Sequence, residues 1–359
     1  MDTLHVDLPS YRVTIARGAL GEIGEIASAR IQVHRYAVVS DANVAALYAP
    51  RVRAALGEQR TRVYTIAAGE SQKTRETWSA LTDAMLADGF GRDTMVVALG
   101  GGVVGDLAGF LAATFMRGIP YIQLPTTLLA MIDASIGGKT GVDTPAGKNL
   151  VGAFHQPSAV VVDPDVLRTL PREHLRAGLA EAIKHGVIAD AGYFDEVVAA
   201  APSILAGGAD AALDRVVARS VAIKADVVRR DEREGGVRKT LNFGHTIGHA
   251  IELRSEYRML HGEAVAVGMV IESKVAERLA VAEPGTSERV RDGVRRAGLP
   301  VARPAEQSPA DILSATRSDK KARAGIVEYA LPSRVGAMAG GDRGWGVPVS
   351  DDVVLEMLR

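Results

Sequence analysis

The sequence contains no cysteine among its 359 residues. Without thiol groups the protein can form neither a disulfide nor a thiolate metal site, and a cysteine nucleophile is excluded as well. Any bound metal must therefore be held by histidine, aspartate or glutamate side chains.

Long apolar runs are also lacking, since no stretch reaches the roughly 18 uninterrupted apolar residues of a membrane-spanning helix. Met1, Asp2 and Thr3 do not begin a basic segment followed by an apolar one, as a secretory signal would. We therefore expect a cytoplasmic protein without a membrane partner.

Neither sign of charge is in excess, because 42 Lys and Arg residues face 43 Asp and Glu residues, for a net charge of -1. No overall positive field is present to bind nucleic acid. An anionic small molecule would have to meet a local basic cluster. With 47% apolar residues the chain can bury a full core, and its length allows two domains.

The order of apolar patterns predicts two domains of different class. In the first half, β-branched runs at residues 36–39, 62–66, 95–99, 121–124 and 160–162 alternate with helical patterns such as 43–56 and 73–86. Such alternation is typical of a parallel α/β sheet. After Pro171, long periodic segments at 172–189, 213–230, 239–254 and 263–279 predict helices. We expect an α/β domain over residues 1–170, a mostly α-helical domain over residues 171–359, and an inter-helix loop at 201–211.

A glycine-rich turn follows the third β-branched run. Its sequence, Gly100-Gly101-Gly102-Val103-Val104-Gly105-Asp106, fits G-x-G-x-x-G, in which glycines let the backbone approach a pyrophosphate at a helix N-terminus. The turn is not in the first βα unit, and no acidic residue ends a strand about 20 residues later, as in the usual dinucleotide motif. The pattern predicts either a dinucleotide-binding loop or a tight turn that packing alone requires.

Polar segments follow the two preceding β-branched runs. These are Ser40-Asp41-Ala42-Asn43 and Gly69-Glu70-Ser71-Gln72-Lys73. Ligands of open α/β sheets bind at the carboxyl ends of strands. Asp, Asn and Ser are equally common as helix caps, so both interpretations stay open.

Histidines form the clearest candidate for a metal site. His245 and His249 are four residues apart and share a face if this segment is helical, and His261 follows twelve residues later. Imidazoles with one carboxylate leave an open position on zinc, and Glu181 is a candidate because it interrupts an apolar helix. A solvated or hydrogen-bonded histidine pair is the alternative. A zincin protease is disfavoured because Thr246 stands where that motif has its catalytic glutamate.

Two glycine-rich segments carry lysines that are candidates for binding an anion. They are Asp133 to Gly141, which contains Lys139, and Gly147-Lys148-Asn149. A compact ammonium group on a loop suits phosphate or carboxylate. A single such lysine more often only solvates its loop, whereas several in one cleft would form a binding site.

Together these motifs resemble the 3-dehydroquinate synthase family of sugar-phosphate cyclases. The resemblance extends in order from Asp41 to Pro332. It is carried by Gly100 to Asp106, Arg117 to Pro120, Leu124 to Leu129, Asp133 to Gly141, Gly147 to Asn149, Glu181 to Lys184, Leu241 to Ala250, and Leu260 to Val265. It implies an N-terminal Rossmann-like α/β NAD-binding domain and a mostly α-helical C-terminal domain for metal and substrate.

The resemblance also implies cofactors and the residues that bind them. One divalent metal, Zn2+ or Co2+, would be held by Glu181, His245 and His261, which makes His249 a substrate contact instead. NAD+ would lie against Asp41, Asn43, Glu70, Lys73, Gly102, Val103, Val104, Gly105, Asp106, Thr126, Thr127, Lys139, Lys148 and Thr169.

The substrate implied by the family is 3-deoxy-D-arabino-heptulosonate 7-phosphate, a phosphorylated sugar acid. Catalytic residues would be Asp133, Lys139, Lys184, Lys224, Arg238, Asn242 and His249. Arg117, Asn149 and one of Lys320 and Lys321 would bind the phosphate together with His249. Asp133, Lys184 and Asn242 would meet the hydroxyls, and Lys224 and Arg238 the carboxylate.

The reaction implied is that of a carbon–oxygen lyase of the shikimate pathway. NAD+ oxidises the C5 hydroxyl, phosphate leaves, C5 is reduced again, and the opened chain closes to a carbocycle by an aldol step. The leaving phosphate itself takes the C6 proton, so no residue is assigned as the sole general base. The family also implies a homodimer.

Several alternatives share parts of this pattern. Cyclases that make amino-dehydroquinate, 2-deoxy-scyllo-inosose or 2-epi-5-epi-valiolone are related, as are NAD- and metal-dependent alcohol or glycerol dehydrogenases. Lys224 with Arg238 favours a carboxylated substrate, and the phosphate-binding lysines disfavour a dehydrogenase. The chain departs from the family at Asp143, where asparagine is usual, and at Val327-Glu328-Tyr329. We expect neither departure to touch the proposed ligands or lysines.

Overall fold

The structure is a computed structural model that describes residues 3–207, 210–256, 258–317, 322–323 and 326–359. The chain divides into two compact units, Met1–Leu170 and Pro171–Arg359. None of the helices within the described ranges combines the length and apolar content needed to cross a bilayer.

The first unit alternates strands and helices. Its strands are β1 (Leu4–Asp7), β2 (Arg12–Ile15), β3 (Arg35–Asp41), β4 (Thr61–Ile66), β5 (Thr94–Gly100), β6 (Tyr121–Pro125), β7 (Lys139–Thr144), β8 (Gly147–Phe154) and β9 (Ala159–Val162). Its α-helices are α1 (Ile23–Ser28), α2 (Ala42–Leu56), α3 (Arg75–Ala87) and α4 (Gly102–Thr114). All five β-branched runs of the sequence form strands, namely β3, β4, β5, β6 and β9.

Seven of the described strands form one sheet in the order β1-β2-β9-β6-β5-β3-β4. All its neighbouring pairs are parallel except β1 with β2. The interior strand β5 is buried at every position, which explains its continuous apolar run. From β3 the chain continues to the edge strand β4, whereas from β5 it continues to β6 on the other side. The carboxyl ends of β3 and β5 therefore flank the switch point where such sheets bind ligands.

An antiparallel hairpin of β7 and β8 carries Lys139, Lys148 and Asn149. The sequence interpretation placed these residues on loops, and that was wrong. The glycines serve close backbone approach, because a Cβ on Gly141 would lie 2.6 Å from the carbonyl oxygen of Val151.

The second unit is mostly helical, as the sequence predicts. Its helices are α5 (Arg172–Ala189), α6 (Ala191–Leu205), α7 (Asp210–Arg230), α8 (His245–Arg254), α9 (His261–Arg278), α10 (Thr286–Arg296), α11 (Pro309–Thr316) and α12 (Asp351–Leu358). Short strands are β10 (Ala322–Arg323), β11 (Ile326–Tyr329), β12 (Pro332–Arg334), β13 (Ala337–Met338) and β14 (Val347–Pro348).

Two boundaries in this unit differ from the prediction. The segment expected as one helix over 239–254 is broken at Gly244, whose φ of 78° ends the 3-10 turn Val237–Asn242 and starts α8. The expected loop at 201–211 begins too early, because α6 continues to Leu205. Buried Ala201 and Ile204 keep this last turn helical despite Pro202.

Helices α8 and α9 pack in direct backbone contact. A Cβ on Gly268 would overlap the carbonyl oxygen of Gly244, and a Cβ on Gly248 would lie 3.0 Å from Val265 Cα. The two helices are antiparallel, since Gly244 meets Gly268 whereas Gly248, later in α8, meets Val265, which is earlier in α9. Buried Ile247 on α8 belongs to the same apolar core as residues of α9. This close pairing fixes where the first residue of each helix lies.

Candidate active site

A carboxylate and two imidazoles from three helices gather in the second unit. Glu181 lies on α5, His245 is the first residue of α8, and His261 is the first residue of α9. Glu181 Oε1 is 3.5 Å from His245 Nε2 and 3.6 Å from His261 Nε2. Two donors that each lie about 2.1 Å from one tetrahedral zinc ion are about 3.4 Å apart. The donor spacing therefore fits a single divalent cation.

His249 lies beside this group. Its ring centroid is 5.2 Å from that of His245 and 5.8 Å from that of His261. One ring nitrogen from each of the three histidines lies within 4.8 Å of the others, so a three-histidine cation site is also conceivable. The distances from Glu181 to His245 and His261 are those that a shared ion requires, so these three residues form the candidate ligand set.

The two imidazoles differ in protonation. Burial, aided by the nearby Lys184 ammonium, holds the pKa of His245 well below its ordinary value, so His245 is neutral. Burial also lowers the pKa of His261, but hydrogen bonds to Glu181 and Glu252 outweigh that effect and raise this pKa to about 10. A cation that binds here must displace a proton from His261.

Lys184 follows Glu181 by one helical turn and forms a buried ion pair with it. The Lys184 side chain is 1% exposed and the Glu181 side chain 0%. Burying both charges is costly unless each is matched by partners, so this pair is a poor choice for stability alone. Its position beside the two imidazoles indicates a functional role.

Two further glutamates that the sequence interpretation missed contact this group. Glu252 Oε2 lies 3.2 Å from His261 Nδ1. Glu272 accepts the backbone N–H groups of Gly244 at 2.6 Å and Ile247 at 3.1 Å. Each is a buried charge inside an apolar helix, the same signal that singled out Glu181.

Two cations predicted to bind a carboxylate lie on adjoining elements. Lys224 on α7 is buried, and Arg238 is only 1% exposed in the turn Val237–Asn242, which packs against α7. Asp231 shapes the approach to this turn, because its carboxylate accepts the backbone N–H groups of Gly235, Gly236 and Arg238 at 2.7–3.0 Å.

The same turn presents Asn242, whose Nδ2 donates to Glu234 Oε1 at 2.8 Å. Glu234 has a φ of 62°, an unusual conformation for a non-glycine residue. The sequence interpretation did not name it. Lys320 and Lys321 lie outside the described residues.

In the first unit a buried lysine organises several predicted cofactor residues. Lys73 Nζ is 2.7 Å from Asp106 Oδ2 and donates to Asn149 Oδ1 at 2.5 Å. Lys148 Nζ lies 3.0 Å from Glu70 Oε1. Lys73 precedes α3, Asp106 lies on α4 and Asn149 on β8, so the fold brings together what the sequence separates.

The expectation that Asp143 touches none of the lysines was wrong. Its backbone N–H donates to the Lys73 carbonyl at 2.7 Å, and its Oδ1 lies 3.9 Å from Lys73 Nζ. The same Oδ1 accepts the backbone N–H of Asn149 at 2.9 Å. Partial burial raises the pKa of Asp143 despite the nearby Lys73 ammonium.

The glycine turn lies at the switch point of the sheet. Helix α4 starts at Gly102 with no side-chain cap on its N-terminus. Thr126 follows β6 nearby, and within the described part of the chain its buried Oγ1 has no hydrogen-bond partner. Uncapped N–H groups and a buried hydroxyl at this edge are suited to polar groups of a dinucleotide.

The other predicted cofactor residues have varied positions. Asp41 caps α2, accepting from the backbone N–H groups of Asn43 and Val44. Thr127 Oγ1 accepts from Ala130 N at 3.1 Å, and Thr169 Oγ1 lies 2.5 Å from Tyr48 Oη. The structure thus supports the helix-cap interpretation of Asp41.

The remaining predicted substrate residues in this unit lie on turns or at a strand end. Asp133 is in the π-helical turn Ala130–Ala134, and Lys139 begins β7 as an exposed side chain. Arg117 is exposed and has a φ of 69°, between Met116 at 51° and Gly118 at 115°. A positive φ at the two non-glycine residues Met116 and Arg117 is costly, and such strain is concentrated at functional sites.

Solved structures with this fold bind both a nucleotide and a metal. A 2-epi-5-epi-valiolone synthase from Streptomyces hygroscopicus, with NAD+ and Zn2+ bound, is 32% identical, with 98% of this chain and 97% of that chain covered and a TM-score of 0.86. A 2-deoxy-scyllo-inosose synthase complexed with carbaglucose-6-phosphate, NAD+ and Co2+ is 28% identical, with 99% of both chains covered and a TM-score of 0.89. The likeness to these two synthases over nearly the whole chain places it among the sugar-phosphate cyclases.

Sequence comparison gives the family within that class. The 3-dehydroquinate synthase N-terminal family matches residues 63–177, and the C-terminal family matches residues 178–322. A curated 3-dehydroquinate synthase from Symbiobacterium thermophilum is 47% identical over 330 residues, which are 91% of this chain and 92% of that protein. The chain belongs to the 3-dehydroquinate synthase family and is an enzyme of the lyase type.

Proposed function

We propose that this enzyme converts 3-deoxy-D-arabino-heptulosonate 7-phosphate to 3-dehydroquinate and phosphate in the shikimate pathway, with NAD+ and one divalent cation. Family membership over both halves of the chain supports the reaction. The observation that carries the proposal is the spacing of Glu181, His245 and His261, which matches a shared ion.

The cation would be held by those three residues and is zinc in this proposal, because imidazole and carboxylate donors in a tetrahedral set suit it. NAD+ would be held at the switch point by the N-terminus of α4, Thr126 and the Lys73 cluster. Bound together, these groups supply a transient hydride acceptor at C5 and Lewis-acid polarisation of a substrate oxygen.

The chain itself orients the substrate through fixed charges. Lys224 and Arg238 would bind the carboxylate, since two cations on adjoining elements suit one planar anion. Asp133, Lys184 and Asn242 would hydrogen-bond the hydroxyls. Because such groups are already in place, little reorganisation is needed as charge develops during the reaction.

Phosphate loss requires stabilisation of the departing dianion. His249, Arg117, Asn149 and one of Lys320 and Lys321 would bind it. In the elimination step the C6 proton moves to a phosphate oxygen while the carbon–oxygen bond to phosphate breaks. The substrate thus supplies its own base, and the protein needs only to hold donor and acceptor in line.

Buried Arg238 and Lys224 also support a carboxylated substrate over the sugar phosphates of other cyclases. A hexose or heptose phosphate has no carboxylate to bind these two cations, whereas a carboxylated substrate gains charge-assisted hydrogen bonds with them. Amino-dehydroquinate synthesis uses a carboxylated substrate too and is the alternative that this argument leaves open.

We further propose that the protein is a cytoplasmic homodimer. Light scattering would measure the mass of the particle in solution and so test the dimer.

An assay of the purified protein with the heptulosonate phosphate, NAD+ and zinc tests the proposal. We expect inorganic phosphate and dehydroquinate in equal amounts. His245→Ala should lose metal and activity together. Arg238→Ala should keep the metal but lower kcat/KM by roughly 30-fold or more, since truncating one partner of a buried charge interaction costs about 2–5 kcal/mol.

Arg254→Ala is the matched control, because Arg254 is an exposed arginine on α8. It should leave metal content and kcat/KM unchanged. Metal-loaded protein that releases no phosphate would overturn the assignment.

A further inference from the structure

Two buried glutamates outside the proposed ligand set lie near the starts of α8 and α9, the two helices that carry the histidine ligands. Glu252 is 4% exposed on α8 and Glu272 is 0% exposed on α9. A buried carboxylate is costly unless it is hydrogen-bonded, so each glutamate needs a partner that offsets the free-energy cost of its burial. Glu252 contacts the proposed ligand His261, and Glu272 accepts from backbone N–H groups on either side of His245, those of Gly244 and Ile247.

Glu252 acts on His261 directly. Its Oε2 accepts from His261 Nδ1 at 3.2 Å, while His261 Nε2 lies 3.6 Å from Glu181 Oε1. A proton fixed on Nδ1 leaves Nε2 as the nitrogen that can donate to a cation. The same hydrogen bond restricts rotation of the imidazole ring.

Glu272 acts on His245 through the backbone. Helix α8 begins at His245, and its N-cap residue Gly244 has no side chain to satisfy the first N–H groups. Glu272 supplies that cap from α9, accepting from Gly244 N and Ile247 N. His245 Nδ1 lies 3.1 Å from the Phe243 carbonyl, so its Nε2 also faces Glu181.

The arrangement is reciprocal, because each helix carries one ligand at its start and one glutamate that secures the start of the other. This inference rests on the proposed cation site. We propose that Glu252 and Glu272 are positioning residues that preorganise His261 and His245 for the cation. The close pairing of α8 and α9 at Gly244 and Gly268 is what brings each glutamate within reach.

Replacement of Glu252 should weaken cation binding without unfolding the protein. Loss of a carboxylate behind a ligating histidine typically costs about 10-fold to 100-fold in metal affinity. We expect that loss for Glu252→Ala and a smaller one for Glu252→Gln, whose amide oxygen still accepts from Nδ1. Glu272→Gln should weaken affinity as well and also lower the melting temperature of the metal-free protein, because its NH2 group meets a backbone N–H.

The experiment titrates metal-free protein with Co2+ against a chromophoric chelator and records the visible Co2+ spectrum. Glu277→Gln is the matched control, since Glu277 also lies on α9 but hydrogen-bonds to Ser287. The proposal is supported if Glu252→Ala binds Co2+ more weakly than wild type and shows an altered Co2+ spectrum. The melting temperature of Glu252→Ala should at the same time equal that of the Glu277→Gln control. Affinity and spectrum equal to wild type in Glu252→Ala would overturn it, whatever the behaviour of Glu272→Gln.

A separate arm distinguishes failure of the cation site itself. Wild-type protein that binds no Co2+, or a His261→Ala variant that binds it normally, would remove the site and the positioning role with it. Binding by wild type that is lost in His261→Ala but unchanged in Glu252→Ala would remove only the positioning role.

Discussion

The carbonyl oxygen of Gly244 occupies the space that a Cβ on Gly268 would fill. The carbonyl belongs to the backbone and a Cβ is held rigidly by it, so neither could move aside without shifting a whole helix. The distance between α8 and α9, and thus between His245 and His261, depends on this absence of a side chain.

Gly268→Ala should therefore destabilise the second unit by about 3 kcal/mol or more, because it overpacks backbone against backbone. Urea unfolding followed by circular dichroism measures the change. Gly235→Ala is the control, since no atom lies within 4 Å of its added Cβ and its φ is not positive. Equal stability of the two variants would show that the helices can separate freely.

Lys73→Met should destabilise the first unit by about 2–3 kcal/mol, less than for a fully buried pair because Asp106 is partly exposed. The methionine removes the ammonium group beside Asp106 and Asp143, and loss of this cation raises the pKa of Asp143 further. The loss of unfolding free energy relative to wild type should become smaller as the pH falls, since the carboxyls of the folded variant then take up protons. Denaturant unfolding at pH 5 and pH 8 measures this, with Lys73→Arg retaining most of the stability. A deficit that grows on acidification would contradict this account of the cluster.

Cation binding should release about one proton at pH 8. His261 has a pKa of about 10 in the metal-free protein, so it is protonated at that pH and must lose its Nε2 proton to become a ligand. The apparent affinity should rise about tenfold per pH unit below that pKa. Calorimetry in buffers of different ionisation enthalpy counts the protons. Release of none at pH 8 would mean that His261 is neutral before the cation arrives.

Asp231 should make stability depend on acidic pH. Burial raises its pKa, but the backbone N–H groups of Gly236, Arg238 and Gly235 outweigh that effect and leave the pKa below its ordinary value. The stabilisation is thus complete above the unfolded pKa of about 3.9 and is lost as the pH falls through the lower folded pKa. Asp231→Asn should be about 1 kcal/mol less stable than wild type at pH 7. That difference in stability should vanish at the lowest pH, and thermal unfolding of both proteins across pH 2–7 measures it. A difference that stays constant over this range would contradict a stabilising role of the Asp231 carboxylate.

Much of the fold was predictable because its signals are local. The buried strands β3, β5 and β9 are β-branched runs, and α5 and α9 follow apolar periodicity almost to their ends. The β7–β8 hairpin was not predictable in this way, since its glycines read as loop residues. The break at Gly244 was missed for a similar reason, because the apolar pattern continues across it while the backbone does not.

The candidate site was predictable mainly by resemblance. Spacing alone paired His245 with His249, whereas the structure also brings Glu181 and His261 from other helices, with Glu181 3.5 Å from His245 and 3.6 Å from His261. Contacts between distant segments, such as that of Asp143 with Lys73, have no signature in residue spacing. Glu252 did have a signature in the spacing, since it lies seven residues after His245 and so on the same face of a helix.

The charges of the buried glutamates bear on which ion the proposed cation site would bind. Glu181, Glu252 and Glu272 bring three negative charges, and Lys184 offsets one of them. The surplus of two is matched by a doubly charged ion, whereas a monovalent ion would leave a net negative charge away from water. In the proposed cation site these charges would therefore favour a doubly charged ion before any difference in ionic radius enters.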